Sequence, residues 1–260
     1  MIQVPLSVRH VTRRFGGVVA VDDVSLDVQP GERRVILGPN GAGKTTLFNV
    51  IGGQDRPNSG QLFLFGRDIT RMSIHSRAGL GMSRTFQITN VFPNLSVEEN
   101  VLLSVQALAR SRMVMYRPLR SYAGLTERAQ RALEEWRLWD KRQVTARNLS
   151  HGDQRLLEIV MALNGEPRLL LLDEPTAGLS TEETQRVAGV IAGLDPRITI
   201  LLIEHNMDVA FQIASWVTVM HHGRIVADGP PDQVRADPVV LGIYLGATEE
   251  RAQTSAVGSA

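Results

Sequence analysis

Cysteine is absent from the 260-residue chain, so disulfides, thiolate metal sites and cysteine nucleophiles are excluded, which fits the cytosol. An excess of charge of one sign is missing too: 28 Lys and Arg stand against 27 Asp and Glu, for a formal net charge of +1. Non-specific binding to DNA or RNA needs clustered basic residues to displace counterions, so nucleic acid is not an expected partner. Long hydrophobic runs are lacking as well. The longest, such as Leu169–Leu172 and Ile198–Ile203, fall far short of the roughly 20 residues that cross a bilayer. The start of the chain, through Gln3, Pro5, Ser7 and Arg9, holds no sustained apolar stretch and does not read as a signal peptide. If the protein works at a membrane, something else must anchor it.

What is present suits an α/β core. Hydrophobic side chains make up 43% of the sequence, enough for one domain over residues 1–248, followed by a small, polar tail at 249–260 that we expect to be disordered. Apolar residues largely alternate from Val18 to Val28, where Pro30-Gly31 closes the run, and again from Leu62 to Phe65 before Gly66-Arg67-Asp68. The alternation predicts a small antiparallel sheet of half-buried strands. Val35-Ile36-Leu37, Leu169–Leu172 and Ile198–Ile203 are instead continuously apolar, which predicts a central parallel sheet covered on both faces. The middle of the chain reads as helical. Ser96 and Glu99 form a capping-box pair ahead of Val101, Leu102, Val105 and Leu108. A second helix is expected from Thr126 to about Leu138, with Ala129, Leu133 and Trp136 on one face, after a variable connection over Ser111–Gly124. Val217–Met220 and Arg224–Ala227 read as a last pair of short strands. Between them His221 and His222 would point to opposite faces of a strand, so they read as exposed polar residues, not metal ligands.

Gly38-Pro39-Asn40-Gly41-Ala42-Gly43-Lys44-Thr45 matches the phosphate-loop pattern G-x-x-x-x-G-K-S/T, with Thr46 next on the following helix. Glycines let successive backbone N–H groups turn inward around an anion, and the helix start adds partial positive charge. Lys44 can reach the β- and γ-phosphates of a bound triphosphate, and the Thr45 hydroxyl can bind Mg²⁺. A glycine-rich turn that matches by chance is the alternative, and the buried strand before it and helix after it weigh against that. The acidic partner of such a loop lies at the end of a buried strand, where Leu169–Leu172 is followed by Asp173-Glu174. Asp173 is placed to hold Mg²⁺, and Glu174 to polarise the attacking water as general base. Taken alone, Glu174 would read as a solvated residue at a strand end.

With these elements the chain resembles the ATP-binding cassette ATPases, because five further elements occur in that family's order. Leu149-Ser150-His151-Gly152-Asp153 resembles the family signature, usually Leu-Ser-Gly-Gly-Gln, and precedes a helix with Leu156, Ile159, Val160 and Leu163 on one face. The Ser150 hydroxyl and the Gly152 N–H at that helix start make a second anion site. The resemblance implies that it takes the γ-phosphate held by the phosphate loop of a second cassette. It further implies that Gln87 touches Mg²⁺ and senses the membrane partner, that His205 contacts the γ-phosphate, and that Phe15 stacks on adenine. Core packing is the alternative for Phe15. Ala177-Gly178-Leu179-Ser180 occupies the family's D-loop. The departures are His151 and Asp153 within the signature and Ser180 where many members have Asp; they put communication between cassettes in question.

The implied fold is an α/β phosphate-loop core with a parallel sheet, an N-terminal antiparallel β subdomain and a helical subdomain over about residues 88–160 that carries the signature. The likeness is greatest to the ATPases of branched-chain amino acid importers, through Leu149–Gln154, Glu204-His205-Asn206-Met207-Asp208 and the stretch from Asp237-Pro238 to Tyr244-Leu245-Gly246. Urea and amide importers and lipopolysaccharide-export ATPases share much of this pattern. The resemblance implies ATP and Mg²⁺ as cofactors, a second cassette, membrane-spanning permease subunits docked beside Gln87 and the helix start at Ser96–Val101, and indirectly a solute-binding protein. It places the chain on the cytoplasmic face of the inner membrane. A non-transport cassette protein is disfavoured by the single cassette and neutral charge, and a GTPase by the absence of a guanine-reading Asn-Lys-x-Asp.

Overall fold

The computed structural model describes residues 3–85, 91–108 and 123–244. They fall into two compact units, one running to Leu80 and resuming at Asp195, the other spanning Gly81–Leu194.

In the first unit β1 (Leu6–Phe15) pairs antiparallel with β2 (Val18–Val28) on one edge and β4 (Ser59–Leu64) on the other, and β5 (Arg67–Asp68) follows β4. This is the expected antiparallel sheet with two strands, β1 and β5, beyond those that the alternation announced. The pairing of β1 shifts register between Val8 and Val11, and His10 sits at φ 50°. A bulge of this kind puts Leu6, Val8 and Val11 on one buried face without a period of two, which hides the strand from pattern reading.

The same unit holds β3 (Arg33–Leu37), parallel to β8 (Thr199–Ile203) on one side and to β9 (Trp216–His221) on the other, with β10 (Arg224–Gly229) antiparallel to β9. Every residue of β8 is buried, as its unbroken apolar run requires. Val217–Met220, expected only as half of a terminal pair, is therefore also a neighbour of the strand that leads into the phosphate loop. At the β9–β10 turn, His221 and His222 do not diverge. His222 lies beyond the strand at φ 47°, in the left-handed region, and the two rings come within 4.0 Å of each other. The Asp22 N–H donates to the Gly223 carbonyl at 2.9 Å, tying this turn to β2.

Four short helices complete the unit: α1 (Lys44–Gly52), α2 (Ile74–Ala78), α7 (Met207–Ile213) and α8 (Pro231–Arg235), and residues 238–244 are helical too. Arg77, on α2, is fully buried. Its Nη1 donates to the carbonyls of Val50 at 2.6 Å and Ile51 at 2.5 Å, and its Nη2 to that of Ile69 at 2.8 Å. Two of these acceptors belong to the last turn of α1, so a guanidinium neutralises the negative end of the helix whose positive end follows the phosphate loop. Burial lowers its pKa to about 10.

In the second unit β6 (Met82–Arg84) runs parallel to β7 (Leu169–Asp173), accompanied by α3 (Val97–Leu108), α4 (Ala123–Glu135), α5 (His151–Leu163) and α6 (Thr181–Ala192). The capping box of α3 forms as expected: the Ser96 N–H donates to Glu99 Oε2 at 2.9 Å and the Glu99 N–H to Ser96 Oγ at 3.2 Å. Helix α4 buries Ala129 and Leu133 but ends at Glu135, short of the expected Leu138. Arg137 takes φ 56° and the Leu138 N–H closes on the Leu133 carbonyl at 2.8 Å, a left-handed stop that leaves Trp136 half-buried beyond the helix. Gln87, most of the connection at Ser111–Gly124 and the tail at 249–260 lie outside the described residues. No helix among the described residues is long and apolar enough to cross a bilayer.

Candidate functional site

Candidate residues gather at two helix starts, one in each unit, and at the end of one strand. In the first unit β3 ends at Leu37 and the chain turns through Gly38 to Gly43 into α1. Two of the three glycines are required by space as much as by conformation. Gly38 (φ 150°) and Gly43 (φ 97°) would each bring a Cβ to within 2.2 and 2.1 Å of the carbonyl oxygens of Met220 and Ala20. No side chain caps α1 and no acidic residue lies in its first turn. Its leading N–H groups thus form a positive end that neither a capping side chain nor an acid of its own first turn covers. Lys44 is buried, and its ammonium donates to the carbonyls of Gly38 at 2.7 Å and Pro39 at 2.9 Å. Folded onto its own loop, the amine is held where a polyphosphate entering the turn would meet it. Asn40, Gly41 and Thr45 are exposed, Pro39, Gly43 and Thr46 half-buried, and Ala42 buried.

His205 and Phe15 belong to the same unit. His205 follows β8 and is exposed; its N–H donates to the buried Glu204 carboxylate at 3.2 Å. Next to it Asn206 Oδ1 caps α7 by accepting from the Asp208 N–H at 2.9 Å and the Val209 N–H at 3.3 Å. Phe15 is 46% exposed at the end of β1, with the Arg13 guanidinium 4.3 Å from its ring centroid. It is therefore an aromatic surface at a strand end, and the core-packing alternative is set aside.

In the second unit β7 delivers two carboxylates in succession. Asp173 is buried, and Arg84 Nη2 donates to its Oδ2 at 3.0 Å, while Oδ1 is buried with no hydrogen-bond partner. Burial pushes the Asp173 carboxyl above its ordinary value, and the charge of Glu174 adds to that, against the pull of Arg84. A carboxylate oxygen stripped of water and left unpaired is costly. A hard, oxygen-seeking cation such as Mg²⁺ meets that need, so the donor set fits it. Glu174 is buried at φ 46° immediately before Pro175. The left-handed region is sparsely populated by residues with a Cβ and disfavoured further before proline, so the backbone is strained at this glutamate. The contribution of Arg84 was not read from the sequence, although it stands three residues before Gln87; nothing local marks it as the partner of a carboxylate 89 positions away.

The signature turn starts α5. Ser150 is its N-cap and accepts from the Asp153 N–H at 3.2 Å. Gly152 is buried, and its N–H donates to Oε1 of Glu183 at 3.0 Å. Oε2 of the same carboxylate accepts from the Ser180 N–H at 3.2 Å and hydroxyl at 3.1 Å, forming the capping box of α6. The departures from the usual signature acquire structural roles here. Asp153 is buried between Lys141 and Arg186, whose Nη1 lies 2.9 Å from Oδ1. Burial opposes its ionisation, but the two cations hold its carboxyl below the usual carboxylate value. Ser180 is the N-cap of α6, and His151 is exposed.

Comparison with known proteins completes the picture. A family model described as ABC transporter matches residues 21–177, and one described as branched-chain amino acid ATP-binding cassette transporter matches residues 224–250. The high-affinity branched-chain amino acid transport ATP-binding protein BraF of Pseudomonas aeruginosa is 37% identical over 248 residues, 93% of this chain and 97% of that protein. The lipopolysaccharide export system ATP-binding protein LptB of Acidithiobacillus ferridurans is 37% identical over 242 residues, 93% of this chain and 96% of its own length. A crystal structure of the ADP conformation of an ATP-binding cassette from an ABC transporter superposes with a TM-score of 0.81 at 30% identity, covering 95% of this chain and 100% of the other. With a phosphate loop, a carboxylate pair at a strand end and a signature turn in family order, and relatives that match over nearly its whole length, the chain belongs to the ABC transporter ATP-binding cassette family.

Proposed function

We propose that the chain powers import of branched-chain or other hydrophobic amino acids, as one of two cassettes that take ATP between them and drive separate permease subunits from the cytoplasmic face of the membrane. The observation that carries the nucleotide assignment is the start of α1: an uncapped positive helix end behind sterically obligatory glycines, with Lys44 buried inside the turn. The C-terminal match over residues 224–250 supports the choice of solute. Export of lipopolysaccharide is the second reading, on the strength of the equal identity to LptB. Loss of labelled leucine uptake on deleting the gene, with lipopolysaccharide export intact, decides for the first.

In this mechanism the residues divide as follows. The N–H groups of Gly38–Thr46 and Lys44 bind the β- and γ-phosphates, and Phe15 offers its ring to adenine. Thr45 and Asp173 would hold Mg²⁺, joined by Gln87; when bound, the ion neutralises charge on the phosphate oxygens. Arg84 fixes Asp173 through Oδ2 and so keeps Oδ1 available. Glu174 orients and deprotonates the attacking water, and the strained backbone at this position aims it. His205 contacts the γ-phosphate, and Ser150 with Gly152 grips the nucleotide of the opposite cassette. ATP favours the closed pair because those last contacts exist only there. The helices between residues 88 and 160 form the subdomain that presents this turn, and its face around Ser96–Val101 receives the permease. A solute-binding protein acts through the permease.

The test is Glu174→Gln. ATP binding is retained, steady-state hydrolysis falls by about 10²-fold or more, and ATP traps a dimer visible by size-exclusion chromatography. Unchanged hydrolysis would remove Glu174 from the role of base.

A further inference from the structure

The second anion site is already filled by the chain itself. The Gly152 N–H, expected to face a phosphate, donates to Glu183 Oε1 at 3.0 Å. We infer that Glu183 stands in for the γ-phosphate at the signature turn of an unpaired cassette, so that its displacement sets the ATP concentration at which two cassettes close. This rests on the two-cassette reading above.

Several observations support a competitor in preference to a permanent strut. The carboxylate is divided: Oε1 serves the turn of α5, while Oε2 serves the cap of α6 through Ser180. Rotation away from Gly152 therefore keeps a partner for the charge, which makes two positions of the side chain accessible. Glu183 is half-buried and its neighbour Ser150 is exposed, so an incoming anion can reach the turn. Its donors hold the carboxyl at about 2, so it is ionised at any physiological pH. An ionised carboxylate and a phosphate oxygen cannot share one N–H, because two anions at contact repel each other and compete for the same donor. The other acid of the turn does not contest the site, since Asp153 is held inward by Lys141 and Arg186. Gly152 itself is fitted to Glu183: a Cβ there would lie 2.8 Å from Glu183 Cγ.

The experiment uses the full chain carrying Glu174→Gln, with and without Glu183→Gln, and follows ATP-dependent dimerisation by sedimentation velocity in the presence of Mg²⁺. The amide keeps the shape of the side chain and removes its charge. The expected result is a dimerisation midpoint about tenfold lower in ATP for the double variant, because a larger fraction of signature turns is competent to take phosphate. ADP affinity of the monomer stays unchanged. A purely structural role, as cap of α6, predicts the opposite sign, so an unchanged or raised midpoint overturns the inference while leaving the two-cassette reading intact. If Glu174→Gln alone and the double variant both fail to dimerise with ATP, the two-cassette reading fails and this inference with it. A second measurement needs no dimer: amide exchange at Gly152 in the nucleotide-free chain becomes faster in Glu183→Ala. Unaltered exchange there shows that the contact does not form in solution and overturns the inference.

Discussion

Two helix starts in this chain are proposed as anion sites, and they differ in what covers them. The N-terminus of α1 has no capping side chain and no acid in its first turn, and a lysine is folded onto the loop that precedes it. The N-terminus of α5 has a serine cap, and a glutamate from α6 closes over it. Both face the requirement that leading N–H groups find acceptors, but no side chain caps the first, whereas the second meets the requirement with Ser150 and Glu183. On the proposals above, the difference divides the labour: the α1 turn would bind nucleotide in a single cassette, whereas the α5 turn would contribute only when something displaces its own carboxylate.

The largest expected effect on this comparison comes from removing the cation of the first site. Lys44→Ala should lower hydrolysis by about 10³-fold, measured as steady-state phosphate release, while leaving the Gly152 contact untouched. Next is the steric requirement of the same loop. Gly43→Ala places a methyl group 2.1 Å from the Ala20 carbonyl oxygen at φ 97°, and should cost about 3 kcal/mol in chemical denaturation. Gly41→Ala, at φ 79° with nothing within 4 Å, should cost only about 1 kcal/mol. Equal losses would show that backbone conformation and not space governs the loop.

An effect of similar size to that of Gly41→Ala concerns the support of the second site. Asp153→Asn removes a buried charge whose partners Lys141 and Arg186 are 45% and 44% exposed, so after screening it should cost about 1–2 kcal/mol. The carboxyl of Asp153 lies below its ordinary 3.8 in the folded chain. Its contribution is therefore complete above pH 3.8 and disappears as pH falls through the lower folded value. The Asn variant should lose that part of the acid limb in a pH series of denaturation curves, and an unchanged acid limb would show that the two cations do not stabilise the carboxylate.

Much of the first site could be read directly because its parts are neighbours in the chain. Gly38–Thr46 and the strand before it form one local turn, and the glycine spacing expresses the backbone shape that this turn needs. The unbroken apolar runs of β3, β7 and β8 likewise announced strands covered on both faces. Pattern reading failed where local geometry broke the period: β1 through its bulge at His10, and α4 through the left-handed residue Arg137. It failed too at His221 and His222, where a turn conformation brings together two rings that a strand would separate.

By itself the sequence determined the family and marked the glycine-rich turn, the carboxylate pair and the serine-capped turn as candidates, because each is a short run whose chemistry is set by residue type and order. Tertiary structure alone decided which charges meet. Arg84 reaches Asp173 across 89 positions, and Glu183 reaches Gly152 across 31. Such pairings depend on how strands are ordered and helices packed, and a carboxylate carries no mark in the chain that says which distant donor will hold it.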